Sequence, residues 1–223
     1  MIADSSLDTA AVESALLAGR AAVLPNPSPL TYLVAATDPG VVNAAKQRPV
    51  DQEVAVWARD EATWASLVPS LNLSPVALGF ALDLLRGELI TLLVPVRPDT
   101  TPPTWATCAL RDGHLLLFGA HWQPLAPLLA RLPRLYVSSA NRTGHKPAAT
   151  AAEAVAMFGP DIPVLDGDAL RTADTVPHAA TTMLRISTDA DLALVRHGAQ
   201  DQAHGTNSPA YLDGLRETWL RSP

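Results

Sequence analysis

A chain of 223 residues, 48% of them hydrophobic, is long enough for one large α/β core or two small ones. Its formal charge of −6 argues against a protein that coats nucleic acid through bulk electrostatics, while leaving room for a local basic pocket. A single cysteine, Cys108, excludes an intramolecular disulfide and a Cys-rich zinc site.

Taken in order, the first twenty residues carry Val12, Leu16 and Leu17 at helical spacing before Gly19, which predicts a first helix. A short strand is expected over 21–24, stopped by Pro25-Asn26-Pro27-Ser28-Pro29, and a second over 31–37. Asp38-Pro39 is a helix-start signal, and Pro49 limits that helix to about Lys46. A strand over 53–58 and a helix capped by Asp60 follow. Ser74-Pro75 then opens a helix expected to end at Gly87. Residues 89–96 are the most apolar strand, consistent with a central position.

Residues 97–106 read as a loop, and Asp112-Gly113 as the turn of a hairpin. A helix is expected over 124–132, a strand over 134–137, and a helix from Thr150, where Thr150 and Glu153 have capping-box spacing, to Gly159. Short strands are expected over 162–165, 181–186 and 192–195. Residues 199–208 are polar and structurally weak, with a short amphipathic helix over 211–220. The simplest reading is one α/β domain over 1–198 with a 199–223 tail. With no basic-then-apolar leader and no apolar run long enough to span a bilayer, a cytoplasmic protein without a membrane partner is expected.

The stretch Val137-Ser138-Ser139-Ala140-Asn141-Arg142-Thr143-Gly144-His145-Lys146-Pro147 lies between a predicted strand and a predicted helix. Its hydroxyls, amide, guanidinium and ammonium suit an anion or a polar small molecule, though a solvated loop has the same composition. Only two of the sixteen basic residues are lysines; Lys146 falls in this stretch and Lys46 in Lys46-Gln47-Arg48-Pro49. Other chemistries lack their signatures. The chain has no phosphate-binding Gly-rich loop and no H-E-x-x-H. Neither Ser138 nor Ser139 sits on a G-x-S-x-G elbow that would pair it with His145 as a nucleophile. Asp166-Gly167-Asp168 reads as a tight turn in preference to a magnesium site.

Lys46-Gln47-Arg48-Pro49 and Ser138-Ser139-Ala140-Asn141-Arg142-Thr143-Gly144-His145-Lys146-Pro147 together resemble the K-x-R-P and [ST]-S-A-N-x-[ST]-G-x-x-P segments of the YrdC-like family, the threonylcarbamoyl-AMP synthases. The resemblance covers roughly residues 10–198. It implies a single twisted mixed sheet flanked by helices, with a positively charged concave site. It also implies a nucleotidyltransferase that makes threonylcarbamoyl-AMP and pyrophosphate from threonine, bicarbonate and ATP with Mg2+, for tRNA threonylcarbamoyladenosine modification.

Residue by residue, the resemblance makes Lys46 and Arg48 catalytic, holding the triphosphate. Ser138, Ser139, Asn141, Thr182 and Arg196 would bind nucleotide, and Ser28, Tyr32 and Thr181 would bind substrate. The match breaks at Pro27-Ser28-Pro29-Leu30-Thr31-Tyr32-Leu33, which lacks the acidic residue, second Thr and Gly of P-T-[DE]-T-x-Y-G. It breaks again near Phe118-Gly119, where a strand Arg is missing. A non-catalytic paralogue binding nucleotide or RNA (tRNA or double-stranded RNA) is therefore the alternative, and a homodimer is left open.

Overall fold

The computed structural model describes residues 7–171, 177–205 and 208–220. In chain order the elements are α1 (Ala10–Leu17), β1 (Ala22–Leu24), β2 (Leu33–Ala36), α2 (Pro39–Ala45), β3 (Ala55–Trp57), α3 (Glu61–Leu67), α4 (Pro75–Asp83), β4 (Thr91–Pro95), β5 (Leu110–Arg111) and β6 (His114–Phe118). They continue as α5 (Ala126–Leu129), β7 (Tyr136–Ser139), α6 (Ala151–Phe158), β8 (Met183–Ile186), β9 (Leu192–Arg196), α7 (Ala199–Gln202) and α8 (Ser208–Trp219). The class is α/β, and the nine strands among the described residues form a single mixed open sheet flanked by helices. The chain divides into two compact units, Met1–Val54 with His121–Ala180, and Ala55–Ala120 with Thr181–Pro223.

In the first unit β1 pairs antiparallel with β2, and β2 with β7, so that Val34 lies opposite Ser138 and Leu33 opposite Ser139. Pairing with β2 extends β7 two residues beyond the strand predicted over 134–137, and both serines become strand residues. The helix starts follow their caps. Asp38 Oδ1 accepts the amides of Gly40 (2.7 Å) and Val41 (3.3 Å), and Pro39 takes the first turn of α2. Thr150 Oγ1 accepts the Glu153 amide at 3.2 Å, while Glu153 reaches back to the Ala149 amide at 2.6 Å. Gly19, at φ 72, closes α1 as expected. The strand predicted over 162–165 is represented by a parallel bridge between Val23 and Val164.

The second unit is built on β4, whose Leu92 and Val94 are fully buried. It pairs antiparallel with β6 and parallel with β8. β3 lies parallel to β6, and β9 antiparallel to β8. Asp112 (φ 47) and Gly113 (φ 72) form the hairpin turn between β5 and β6, as the sequence predicts. Residues Thr104–Ala109, however, form a 3₁₀ segment that overlaps the end of the stretch expected to be a loop.

Gly87 does not stop α4. A π-helical turn, Leu84–Glu88, carries the chain through it, and the left-handed residue is Leu89 at φ 61. The glycine is required by space: a Cβ there would stand 2.1 Å from the Trp219 ring of α8.

Of the stretch 199–208, expected to be structurally weak, Ala199–Gln202 form α7, anchored by Asp201, while residues 206–207 lie outside the described residues. The Asp201 carboxylate is 3% exposed, and it accepts the Thr182 hydroxyl (2.6 Å) and the Gly198 amide (2.7 Å). His197 Nδ1 lies 2.5 Å from its other oxygen. Burial raises the Asp201 pKa, but the Thr182, Gly198 and His197 hydrogen bonds together carry it below the ordinary value. A carboxyl depressed on folding contributes stability that is present above its unfolded pKa and is lost as pH falls through the folded one. Urea unfolding should therefore show Asp201→Asn weaker than wild type by about 1–3 kcal/mol at pH 7. The gap should begin to narrow below pH ~4, near the unfolded carboxyl pKa, and close only as pH falls through the lower folded one. A gap no smaller at pH ~2 than at pH 7 would contradict this account.

A candidate anion site at Lys46, Ser139 and Asn141

Lys46 follows the last residue of α2, and its side chain is buried, with 4% of the residue exposed. An ammonium taken out of water must be surrounded by oxygen. Its Nζ donates to the backbone carbonyl of Ser139 and to Asn141 Oδ1 at 2.8 Å, and it lies 3.5 Å from Ser139 Oγ. Ser139 Oγ donates to Asn141 Oδ1 at 2.6 Å. Asn141 Nδ2 in turn donates to the carbonyls of His145 (2.9 Å) and Arg142 (3.2 Å), holding the loop around it. The two motifs far apart in the chain therefore meet side chain to side chain within the first unit.

Gln47 takes the left-handed conformation, φ 53, between Lys46 and Arg48. A non-glycine residue there costs on the order of 1 kcal/mol, and such strain concentrates at functional positions. Arg48 is half-buried, and its Nε donates to Asn43 Oδ1 at 2.5 Å. Burial lowers the Arg48 pKa, and the charge of Glu53 opposes that shift. Asn43 is itself buried and donates to the carbonyls of Val50 (2.9 Å) and Gln52 (2.8 Å). It shapes the turn that carries Arg48. Sequence reading passed over it, although an amide on an otherwise apolar helix face, three residues before Lys46, was the available signal.

The remaining expected residues sit in other networks. Ser138 is half-buried on β7. Ser28 Oγ lies 3.1 Å from His178 Nε2. Tyr32, expected beside a substrate, is fully buried; its hydroxyl donates to Asp168 Oδ1 at 2.7 Å and accepts the Gly167 amide at 3.1 Å. Burial and then the Asp168 hydrogen bond raise its pKa, so the phenol keeps its proton. Thr181, Thr182 and Arg196 belong to the second unit. Thr181 Oγ1 lies 2.5 Å from Thr91 Oγ1, Arg196 donates to the Thr181 carbonyl at 3.0 Å, and the fully buried Thr182 is bonded to Asp201.

Asp166 accepts the Asp168 amide at 3.0 Å, the tight turn that the sequence suggested. Among the described residues, no group of three or more His, Cys, Asp or Glu side chains could hold a metal ion. No described helix is long and apolar enough to cross a membrane.

No family model matches the chain, and no curated protein matches it by sequence. Solved structures do. Sua5 of P. abyssi, complexed with L-threonine, superposes over 84% of this chain with a TM-score of 0.60 at 17% identity. E. coli YciO superposes over 86% of this chain and 89% of its own, with a TM-score of 0.60 at 14% identity. The fold is YrdC-like. HypF, in its phosphate- and nucleotide-bound form, contains the same fold within a longer chain. It covers 85% of this chain and 29% of its own, with a TM-score of 0.61 at 15% identity. The chain spans about half the length of the Sua5 protein, 53% of which is matched.

Proposed function

We propose that this protein is a nucleotidyltransferase of the threonylcarbamoyl-AMP synthase type, serving the threonylcarbamoyladenosine modification of tRNA. The observation that carries this reading is the buried Lys46 ammonium gathered with Ser139 and Asn141. In the proposed reaction the amine of threonine adds to bicarbonate with loss of water. A carboxylate oxygen of the resulting carbamate then forms a bond to the α-phosphorus of ATP, and the bond to the leaving pyrophosphate breaks. Three anionic partners are crowded together, so fixed cations and hydrogen-bond donors matter more than a covalent nucleophile. Lys46 supplies a compact positive charge, Ser139 and Asn141 supply polar contacts to nucleotide, and Arg48 reinforces the positive field.

With no carboxylate cage among the described residues, magnesium would enter on the triphosphate, as that ion commonly does. The Sua5 neighbour bound to threonine and the HypF neighbour bound to nucleotide and phosphate support the choice of ligands.

A second reading, a paralogue that binds nucleotide or RNA without turnover, is favoured by Tyr32 and Thr182. Both stand at expected ligand positions, yet they are fully buried and bonded internally. Pyrophosphate release with ATP, threonine, bicarbonate and magnesium, each omitted in turn, separates the two. The synthase releases pyrophosphate only when all four are present. ATP binding without release in any combination overturns the synthase and upholds the paralogue. Its RNA form further requires an affinity that falls steeply with salt.

A further inference from the structure

Tyr32, Asp168 and Arg171 form a network that the proposed reaction leaves unused. Arg171 lies with its guanidinium carbon 5.1 Å from the centre of the Tyr32 ring and 3.4 Å (Nη1) from Asp168 Oδ1. Its side chain is 5% exposed, and its two terminal nitrogens donate to the carbonyls of Ala149 (2.6 Å) and Leu30. Asp168 completes the junction: Oδ1 accepts the Tyr32 hydroxyl, and Oδ2 accepts the Ala151 amide (2.8 Å) at the start of α6.

The backbone of Tyr32 is what these groups hold. Its carbonyl accepts the Ala140 amide (2.9 Å), its amide donates to the Ala148 carbonyl (2.9 Å), and the Ala148 amide donates to the Ala140 carbonyl (2.8 Å). These three bonds close the base of the 141–147 loop, immediately after Ser139. Arg171 and Asp168 grip the limb on which that loop returns, at Ala149 and Ala151.

We propose that Asp168 and Arg171 are positioning residues. By fixing Tyr32 they close the base of the 141–147 loop, and so hold Asn141 and Ser139 in register with Lys46 and a bound nucleotide. The nucleotide part rests on the function proposed above; the loop clamp does not. Supporting shells of this kind set the precision of a polar site, and loosening one displaces groups it never touches.

Tyr32→Phe removes only the hydroxyl, and Asp168→Asn keeps the shape while removing the charge beside Arg171. Val12→Ala, a buried α1 residue outside the network, serves as the control for general loss of stability. Two measurements are made well below each protein's unfolding temperature: hydrogen exchange at the Tyr32, Ala140 and Ala148 amides, and Mg-ATP affinity by calorimetry. Tyr32→Phe and Asp168→Asn should each accelerate exchange at those amides at least ~10-fold and weaken Mg-ATP ~10-fold, the scale expected for a displaced supporting group. Val12→Ala should change neither.

Unchanged exchange in Tyr32→Phe overturns the clamp. Accelerated exchange with wild-type affinity overturns its role in the nucleotide site. Failure of the wild-type protein itself to bind Mg-ATP removes the nucleotide reading instead, and the exchange result then still decides the clamp.

Discussion

Replacing Gly119 with Ala is expected to lower the unfolding free energy by about 3 kcal/mol or more, among the larger effects that a single methyl produces. Gly119 follows β6 and lies directly against the π turn after α4. A Cβ there would stand 2.2 Å from the Leu85 carbonyl oxygen and 2.5 Å from the Leu85 Cα. These are backbone atoms, so no rotamer change relieves the clash. Either β6 or the turn has to move. Movement of β6 would disturb Phe118, which meets the Trp57 ring edge-on at 5.6 Å, and the Ala120 carbonyl, which accepts the Trp57 indole N–H at 2.9 Å.

The φ of Gly119 is not left-handed, so the expected loss comes from space and not from conformation. Gly79→Ala makes the matched comparison. That glycine is an exposed position within α4 with nothing near its Cβ site, and alanine should stabilise there by about 0.5–1 kcal/mol. Denaturant melts of the two variants should move in opposite directions. A Gly119→Ala protein as stable as wild type would sink the packing argument. The same geometry leaves no room for a side chain at position 119, arginine included.

What could be read from sequence was whatever depends on neighbours in the chain. Asp38-Pro39, Asp60, Ser74-Pro75 and Thr150 each satisfy amides within the next three residues, and each opens a helix as expected. Asp112-Gly113 turns on its own dihedral preferences. Errors arose where a distant segment decides. Gly87 looks like a helix stop until Trp219 is placed against it. The 199–202 stretch looks weak until Asp201 finds Thr182.

The site divides in the same way. The approach of Lys46 to Ser139 and Asn141 was legible because the two motifs together resemble one family. The burial of Tyr32 was not, since its partner Asp168 stands in a segment whose pattern signals only a turn.

Lys46→Met should separate the anion site from the fold. A buried ammonium is retained at a desolvation cost, and an apolar side chain of similar length often replaces such a charge with little loss of stability. Methionine leaves the Ser139 carbonyl and Asn141 Oδ1 without the lysine donor, but the Ser139 hydroxyl still donates to Asn141. A net loss of about 1–2 kcal/mol in stability is expected, so the variant should remain folded at 25 °C.

Pyrophosphate release should fall much further, by about 10²–10³-fold, the scale seen when one preorganised donor to a developing negative charge is removed. Lys46→Arg adds a discriminating arm. It keeps the positive charge, but a planar fork cannot occupy the space of a compact ammonium held by Ser139 and Asn141. If charge alone matters, Lys46→Arg recovers most of the activity. If the ammonium must sit at this point, Lys46→Arg fails with Lys46→Met. Wild-type release of pyrophosphate by a folded Lys46→Met protein would remove Lys46 from the mechanism. It would leave the contact between the two motifs as architecture alone.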